Sequence, residues 1–160
     1  MQIRTANPAD LPVIAQIEAE CFPPAEAATW DSFRQRLEQY PDHFWLLEED
    51  GKVVAFVNGM VSTEADLLDE MYDNAAMHDP HGSWQMIFVV DTLPAYRRRG
   101  CAQQLLRHVI AQAQAQGRKG LVLTCKEALV HYYAKFGFVS EGPSASTHGG
   151  AAWYQMRLTF

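Results

Sequence analysis

The stretch WQMIFVVDTLPAYRRRGCAQQLLRHVIAQAQAQG, residues 84–117, restricts the fold more than any other part of the chain. Trp84–Val90 is a continuous apolar run, the pattern of a strand covered on both faces. Ala102, Leu105, Leu106, Val109, Ile110 and Ala113 then recur at helical spacing up to Gly117, an amphipathic helix closed by glycine. Between the two sits Arg97-Arg98-Arg99-Gly100. The first turn of a helix has unpaired N–H groups and the positive end of the helix dipole, so it receives anions readily. Gly100 lets the backbone approach an anion, Ala102 keeps the next contact small, and the arginines add charge-assisted contacts. The layout fits a cradle for a diphosphate, and it also fits an exposed basic turn. It is neither the GxxxxGK[ST] phosphate loop nor the GxGxxG dinucleotide turn.

The remaining segments surround this unit with strands and helices. QIRTA alternates as a short strand, and NPADLPVIAQIEAECF carries an Asn or Asp cap and an apolar stripe at Leu11, Ile14, Ile17 and Phe22. PPAEAATWDSFRQRLEQYPD reads as a proline-marked loop, a second helix through Trp30, Phe33 and Leu37, and a stop before Pro41. HFWLLEEDGKVVAFVNGMV is a hairpin turning at Asp50-Gly51. Residues 62–83 are acidic and weakly periodic, an excursion with at most a turn or two of helix. KGLVLTC is a strand, KEALVHYYAKFG a helix, FVSEG a short strand, and AAWYQMRLTF a strand alternating Tyr154, Met156, Leu158 and Phe160 against polar neighbours. The expectation is one α/β (α+β) domain over residues 1–160, a mixed, mostly antiparallel sheet flanked by about four helices.

With 160 residues, 48% of them hydrophobic, the chain can bury a core, and its net charge of −6 disfavours nucleic acid and anionic membrane surfaces as partners. No leader or membrane-length apolar run is apparent, so a cytoplasmic location is expected. The three cysteines, Cys21, Cys101 and Cys125, show no CxxC spacing and read as small core residues; no metal is expected.

Arg97-Arg98-Arg99-Gly100-Cys101-Ala102 matches the [Q/R]xxGx[G/A] signature of the GNAT superfamily of acyl-CoA-dependent N-acyltransferases. EALVHYYAKFGF resembles that family's second hallmark, a helix with a tyrosine before [K/R]xGF. LTCKEALVHYYAKFGFVSEGPSA, CFPPAEAATWDSF and GKVVAFVNGM together resemble the arylalkylamine (serotonin) N-acetyltransferase branch over most of the chain, least at residues 62–83. The resemblance implies acetyl-CoA as co-substrate, with its diphosphate held by backbone amides from Arg98 to Gln103 around Arg97, Arg99, Gly100, Cys101 and Ala102. It adds Phe88, Val89, Val90 and Lys126 to the expected coenzyme contacts, and a small-molecule amine as the second partner. Monomer and homodimer both remain compatible with it.

Acetyl transfer to an amine needs a neutral amine, a held thioester, a stabilised oxyanion and a proton for the departing thiolate. Tyr133 is the general acid that the resemblance implies, with Tyr132 its packing neighbour. A backbone N–H between Phe88 and Val90, on a bulged strand, is expected to face the thioester carbonyl. The base is open. The paired histidines that the resemblance implies are replaced here by Trp84 and Met86. His148 is the first candidate, ahead of His81; Glu26 and Glu70 follow, and His131 reads as exposed. The acceptor pocket is expected from Phe22, Pro23, Pro24, Trp30, Met71, Tyr72, Trp84, Met86 and Trp153, an aromatic and methionine-rich set suited to a flat hydrophobic amine. Packing of these residues in the core is the competing reading. A protein lysine or N-terminal acetyltransferase and a non-catalytic acyl-CoA sensor are the other functions considered.

Overall fold

The Asp50-Gly51 turn forms as its chemistry dictates: both residues take positive φ, 53° and 78°, and join β2 (Phe44–Glu49) to β3 (Lys52–Asn58). The structure is a computed structural model covering residues 1–160. β1 (Gln2–Thr5) pairs with β2, and β3 pairs with β6 (Val89–Thr92), giving a sheet ordered β1-β2-β3-β6. A second sheet runs β4-β5-β7-β9-β8, with β4 at Val61–Ser62, β5 at Trp84–Ile87, β7 at Gly120–Cys125, β8 at Val139–Pro143 and β9 at Tyr154–Thr159. Every pairing is antiparallel except β5 with β7. That pair is the one a helical crossover must join, and α4 (Cys101–Ala115) supplies it.

Leu105, Leu106 and Val109 of α4 are fully buried, each such side chain stabilising the fold by about 1.5–3 kcal/mol. On the opposite side α1 (Leu11–Cys21) and α2 (Trp30–Gln39) bury Ile14, Ile17, Phe33 and Leu37. Asn7 caps the chain's entry to α1: its side chain accepts from the Ala9 N–H, while Asp10 accepts from the Asn7 N–H and is gripped by Arg4 at 2.8 and 2.9 Å. The excursion at 62–83 contributes α3 (Glu70–Asp73), a single turn. α5 (Val130–Ala134) is shorter than its sequence suggests, because Glu127–Leu129 enter it as a 3₁₀ turn. No helix is long and apolar enough to cross a membrane.

The apolar run Trp84–Val90, read as one strand, serves both sheets. Ile87 pairs with Leu123 in one sheet, and Val89 pairs with Asn58 in the other. Between them the Phe88 N–H also donates to the Asn58 carbonyl at 2.8 Å, so two residues oppose one and the strand bends. A buried side chain holds the bend. The Gln85 amide donates to the carbonyls of Gly59 (2.8 Å), Met60 (3.3 Å) and Met86 (2.7 Å), and its oxygen accepts from His43 Nδ1 at 2.9 Å. Burial lowers the pKa of His43, which keeps the ring neutral and leaves this network uncharged. Past Phe88 the sheets diverge, and β6 has β3 on one side and no strand on the other.

Candidate active site

The arginine-glycine turn closes onto α4 through two left-handed residues, Arg98 (φ 63°) and Gly100 (φ 79°). An L side chain resists that conformation at Gly100, and a Cβ there would meet nothing within 4 Å, so the turn opens outward. The first backbone bond of the helix runs from the Gln104 N–H to the Gly100 carbonyl at 3.0 Å, and no side chain caps the helix. The N–H groups of Cys101, Ala102 and Gln103 therefore have no intrahelical acceptor. Alternating left-handed backbone at such a start forms a concavity of donors suited to a diphosphate. Arg99 lies over the Tyr96 ring at 5.1 Å and 3.5 Å from Glu49, Arg97 folds back to the Thr92 carbonyl at 3.4 Å, and Arg98 has no ion-pair partner. The Cys101 side chain points inward, its Sγ donating to the Tyr96 carbonyl at 3.7 Å, so this residue can offer a ligand only its backbone.

A cavity of about 190 Å³ occupies the divergence of the sheets. Its floor is Ile87–Val90 and Leu123–Lys126, and Tyr133 and His148 border it. The Leu93 N–H donates to Val54, so odd-numbered residues of β6 bond to β3 and the even-numbered ones face the other way. The Thr92 carbonyl confirms that direction by accepting from Cys21 and Arg97. The Val90 N–H thus points to the open edge, whereas the Phe88 N–H is turned towards β3.

Tyr133 is buried, and its hydroxyl makes no hydrogen bond to the protein; burial holds its pKa well above that of an ordinary phenol. Its ring is fixed edge-on by Tyr132 at 5.2 Å and Phe138 at 6.2 Å. His148 stacks on Tyr72 at 5.0 Å, and its Nε2 lies 2.9 Å from the Glu26 carbonyl. A carbonyl can only accept, so Nε2 carries a proton, and in the neutral form of the ring the lone pair is the one on Nδ1. Lys126 pairs with Glu26 at 2.6 Å and lies 5.9 Å from the Trp153 ring, while Tyr72 donates to or accepts from Thr124 Oγ1 at 3.1 Å.

Of the expected pocket residues, Phe22, Tyr72 and Trp153 border the cavity. Pro23, Pro24 and Trp30 lie outside it: the prolines sit in an exposed turn, and Trp30 is 52% exposed at the start of α2. Trp84 packs its ring under the Arg157 guanidinium, 4.6 Å away, and Met86 and Met71 are fully buried in the core. Aromatic content marked these residues, but strand parity and helix phase sent them elsewhere. His81, His131 and Glu70 are exposed and do not border the cavity.

Three charged residues at the site escaped the sequence reading. Glu18 and Arg36 border the cavity although each is only 2% exposed, and Asp91, 1% exposed, stands beside Glu18. Helix phase could have found two of them: Glu18 follows Leu11 and Ile14 by whole turns, and Arg36 follows Phe33 by three residues. Glu18 Oε2 accepts from the Ala28 N–H at 2.8 Å, while its other oxygen and both Asp91 oxygens have no donor. Burial, then the neighbouring Glu18 carboxyl, raises the Asp91 pKa well above the carboxylate range. A carboxyl raised on folding stabilises the fold fully only below its unfolded pKa, near 4, and loses that contribution as pH rises towards the folded value. Asp91→Asn should therefore raise the denaturant midpoint at pH 7–8, with the gain vanishing near pH 4; an equal or lower midpoint at pH 8 would contradict this account.

A cleft over a bulged strand, a free amide edge and a glycine-opened anion cradle at a helix start define an acyl-CoA-dependent N-acyltransferase. The model of the Acetyltransferase (GNAT) family matches residues 11–138, and the chain belongs to that family. Serotonin N-acetyltransferase of Mesocricetus auratus is 28% identical over 162 residues, spanning 99% of this chain and 77% of that protein. The Macaca mulatta protein of the same name is 29% identical over 164 residues, covering 99% and 78%. Among solved structures, the GphF GNAT-like decarboxylase in complex with isobutyryl-CoA superposes with a TM-score of 0.86 at 20% identity, over 99% of both chains. The ribosomal-protein-S18-alanine N-acetyltransferase from Escherichia coli gives 0.72 at 22% identity over 99% of this chain and 92% of that one. At these identities the solved structures establish the fold alone.

Proposed function

We propose that the protein transfers an acetyl group from acetyl-CoA to the primary amine of a small molecule by direct attack in a ternary complex. The observation that carries this reading is the cavity itself: Val90 amide and Tyr133 border one space with His148. The diphosphate sits on the N–H groups of Cys101–Gln103 beside Arg98 and Arg99. The coenzyme's extended arm then runs along the open edge of β6, where backbone groups receive it as a further strand would be received. The amine nitrogen attacks the thioester carbon and the Val90 N–H stabilises the oxyanion. The carbon–sulfur bond breaks, Tyr133 gives its proton to the thiolate, and the proton shed by the amine passes to His148 Nδ1.

The cover favours a small acceptor over a protein. Asp69 in the excursion accepts from Ser146 Oγ and the Thr147 N–H, and Glu26 joins His148 and Lys126. These ties join the excursion and the loop before β9 beside the cavity, which supports a small acceptor over a polypeptide. The test is thiol release from acetyl-CoA with phenethylamine, tryptamine, polyamines and lysine peptides; turnover confined to peptides would overturn the small-amine reading. His148→Gln should lower kcat by about 10²-fold near neutral pH. That deficit should shrink as the pH approaches the amine's own pKa, where free amine no longer needs a base; a pH-independent deficit would remove His148 from the role.

A further inference from the structure

Arg36 is a buried cation for which the protein supplies no anionic partner. It lies on α2 one turn beyond Phe33, and its guanidinium is held 5.2 Å from the ring centroids of both Phe33 and Phe88. One nitrogen, Nη2, donates to the Tyr72 carbonyl at 2.9 Å; Nε and Nη1 have no acceptor. No carboxylate pairs with it. Of the acids that border the same cavity, Glu26 is committed to Lys126 and Glu18 to the Ala28 N–H beside Asp91, while Asp73 is exposed to solvent and forms no ion pair with Arg36. A buried charge without a partner is among the most costly features a fold can retain, and an apolar side chain of that volume would pack between two phenylalanines at no such cost. The donors left free at Nε and Nη1, together with the second hydrogen of Nη2, suit a carboxylate in charge and in hydrogen-bonding capacity.

We infer that Arg36 receives a carboxylate of the substrate. This rests on the transfer reading above and deepens it: the acceptor is a small amine that also carries a carboxylate, an amino acid rather than a simple arylalkylamine. The aromatic wall of Phe22, Phe88 and Trp153 then takes its apolar body.

The experiment compares matched pairs that differ only in the carboxylate. Phenylalanine is set against phenethylamine and tryptophan against tryptamine, by thiol release and by calorimetry, in the wild type, Arg36→Met and Arg36→Lys. Arg36→Met should fold, since it replaces an unpartnered charge by a side chain of similar length, and Arg36→Lys keeps the charge without the fork. The wild type should prefer the amino acid, and Arg36→Met should lower the preference ratio in kcat/KM by about ten- to a hundredfold, the worth of a charge-assisted contact. Arg36→Lys should fall between the two. A parallel arm compares malonyl-CoA with acetyl-CoA in binding; an Arg36-dependent gain there alone would place the carboxylate on the acyl group. If amines are acetylated with no regard to their carboxylate and the ratios are the same in Arg36→Met, the assignment is overturned while N-acetyl transfer stands. If no amine is acetylated yet an amino acid or malonyl-CoA binds in an Arg36-dependent way, the assignment stands and the transfer reading falls. Carboxylate ligands that bind no better than their counterparts in either arm also overturn it.

Discussion

Tyr133→Phe should lower kcat for acetyl transfer by about 10²- to 10³-fold while leaving coenzyme binding and thermal stability close to those of the wild type. The hydroxyl bonds to nothing in the protein, so its removal leaves no partner unsatisfied, and the ring stays held by Tyr132 and Phe138. Only the departing thiolate loses its proton donor. Burial keeps the phenol protonated before the transfer but also makes it a weaker acid than an ordinary phenol, so the transfer depends on the thiolate being desolvated in the same cavity. Tyr132→Phe is the matched control: Tyr132 is half-buried and does not border the cavity, and its rate should be unchanged. Thiol release with saturating acetyl-CoA, beside calorimetry of coenzyme A binding, separates chemistry from affinity. Equal rates for the two variants would remove Tyr133 from the mechanism.

Gly59→Ala should cost about 4 kcal/mol or more, enough to leave most of the chain unfolded or insoluble. A Cβ at Gly59 would stand 1.9 Å from the Met86 carbonyl oxygen and 2.6 Å from its carbon. Neither atom can yield, because the same carbonyl accepts from Gln85 at 2.7 Å in the network that holds the bend. The new methyl must drive β3 and β5 apart at the place where the sheets separate, and the cavity is lost with the fold. Soluble yield and the denaturant midpoint measure the effect. Gly51→Ala is the contrast: a Cβ there meets nothing, so only the cost of a left-handed residue remains, about 1–2 kcal/mol. Similar midpoints for the two variants would mean that the close approach at Met86 is not what the glycine serves.

The layout was legible wherever periodicity and turn chemistry act locally. The Asp50-Gly51 hairpin, the amphipathic α4 and the basic glycine turn follow from residue order alone, and the turn led to the family. What escaped was set by contacts far apart in sequence. Nothing in WQMIFVV marks Phe88 as the point where a strand changes sheets, since apolar residues stand on both sides of it; the bend depends on Asn58 and on Gln85, the one polar residue of the run. Trp30, Trp84 and Met86 have the chemistry of a pocket lining, whereas the cavity takes residues by the side of the strand or helix they occupy. Glu18 and Arg36 show the converse. Both lie on apolar helix faces, where a charged residue is a signal in itself, and composition hid them among ordinary surface charges.

The bare margin of β6 bears on how the protein keeps. Four residues of strand, packed beneath α1 and α4, present main-chain groups that no neighbouring strand claims. Such a seam is adhesive towards any extended polypeptide, including a second molecule that has begun to open. The thioester's carrier arm would zip it shut, so scarcity of that reagent would leave the catalyst prone to clumping in concentrated or heated solution. On the proposed binding mode, the compound consumed in each turnover would also act as a preservative for the machine that consumes it.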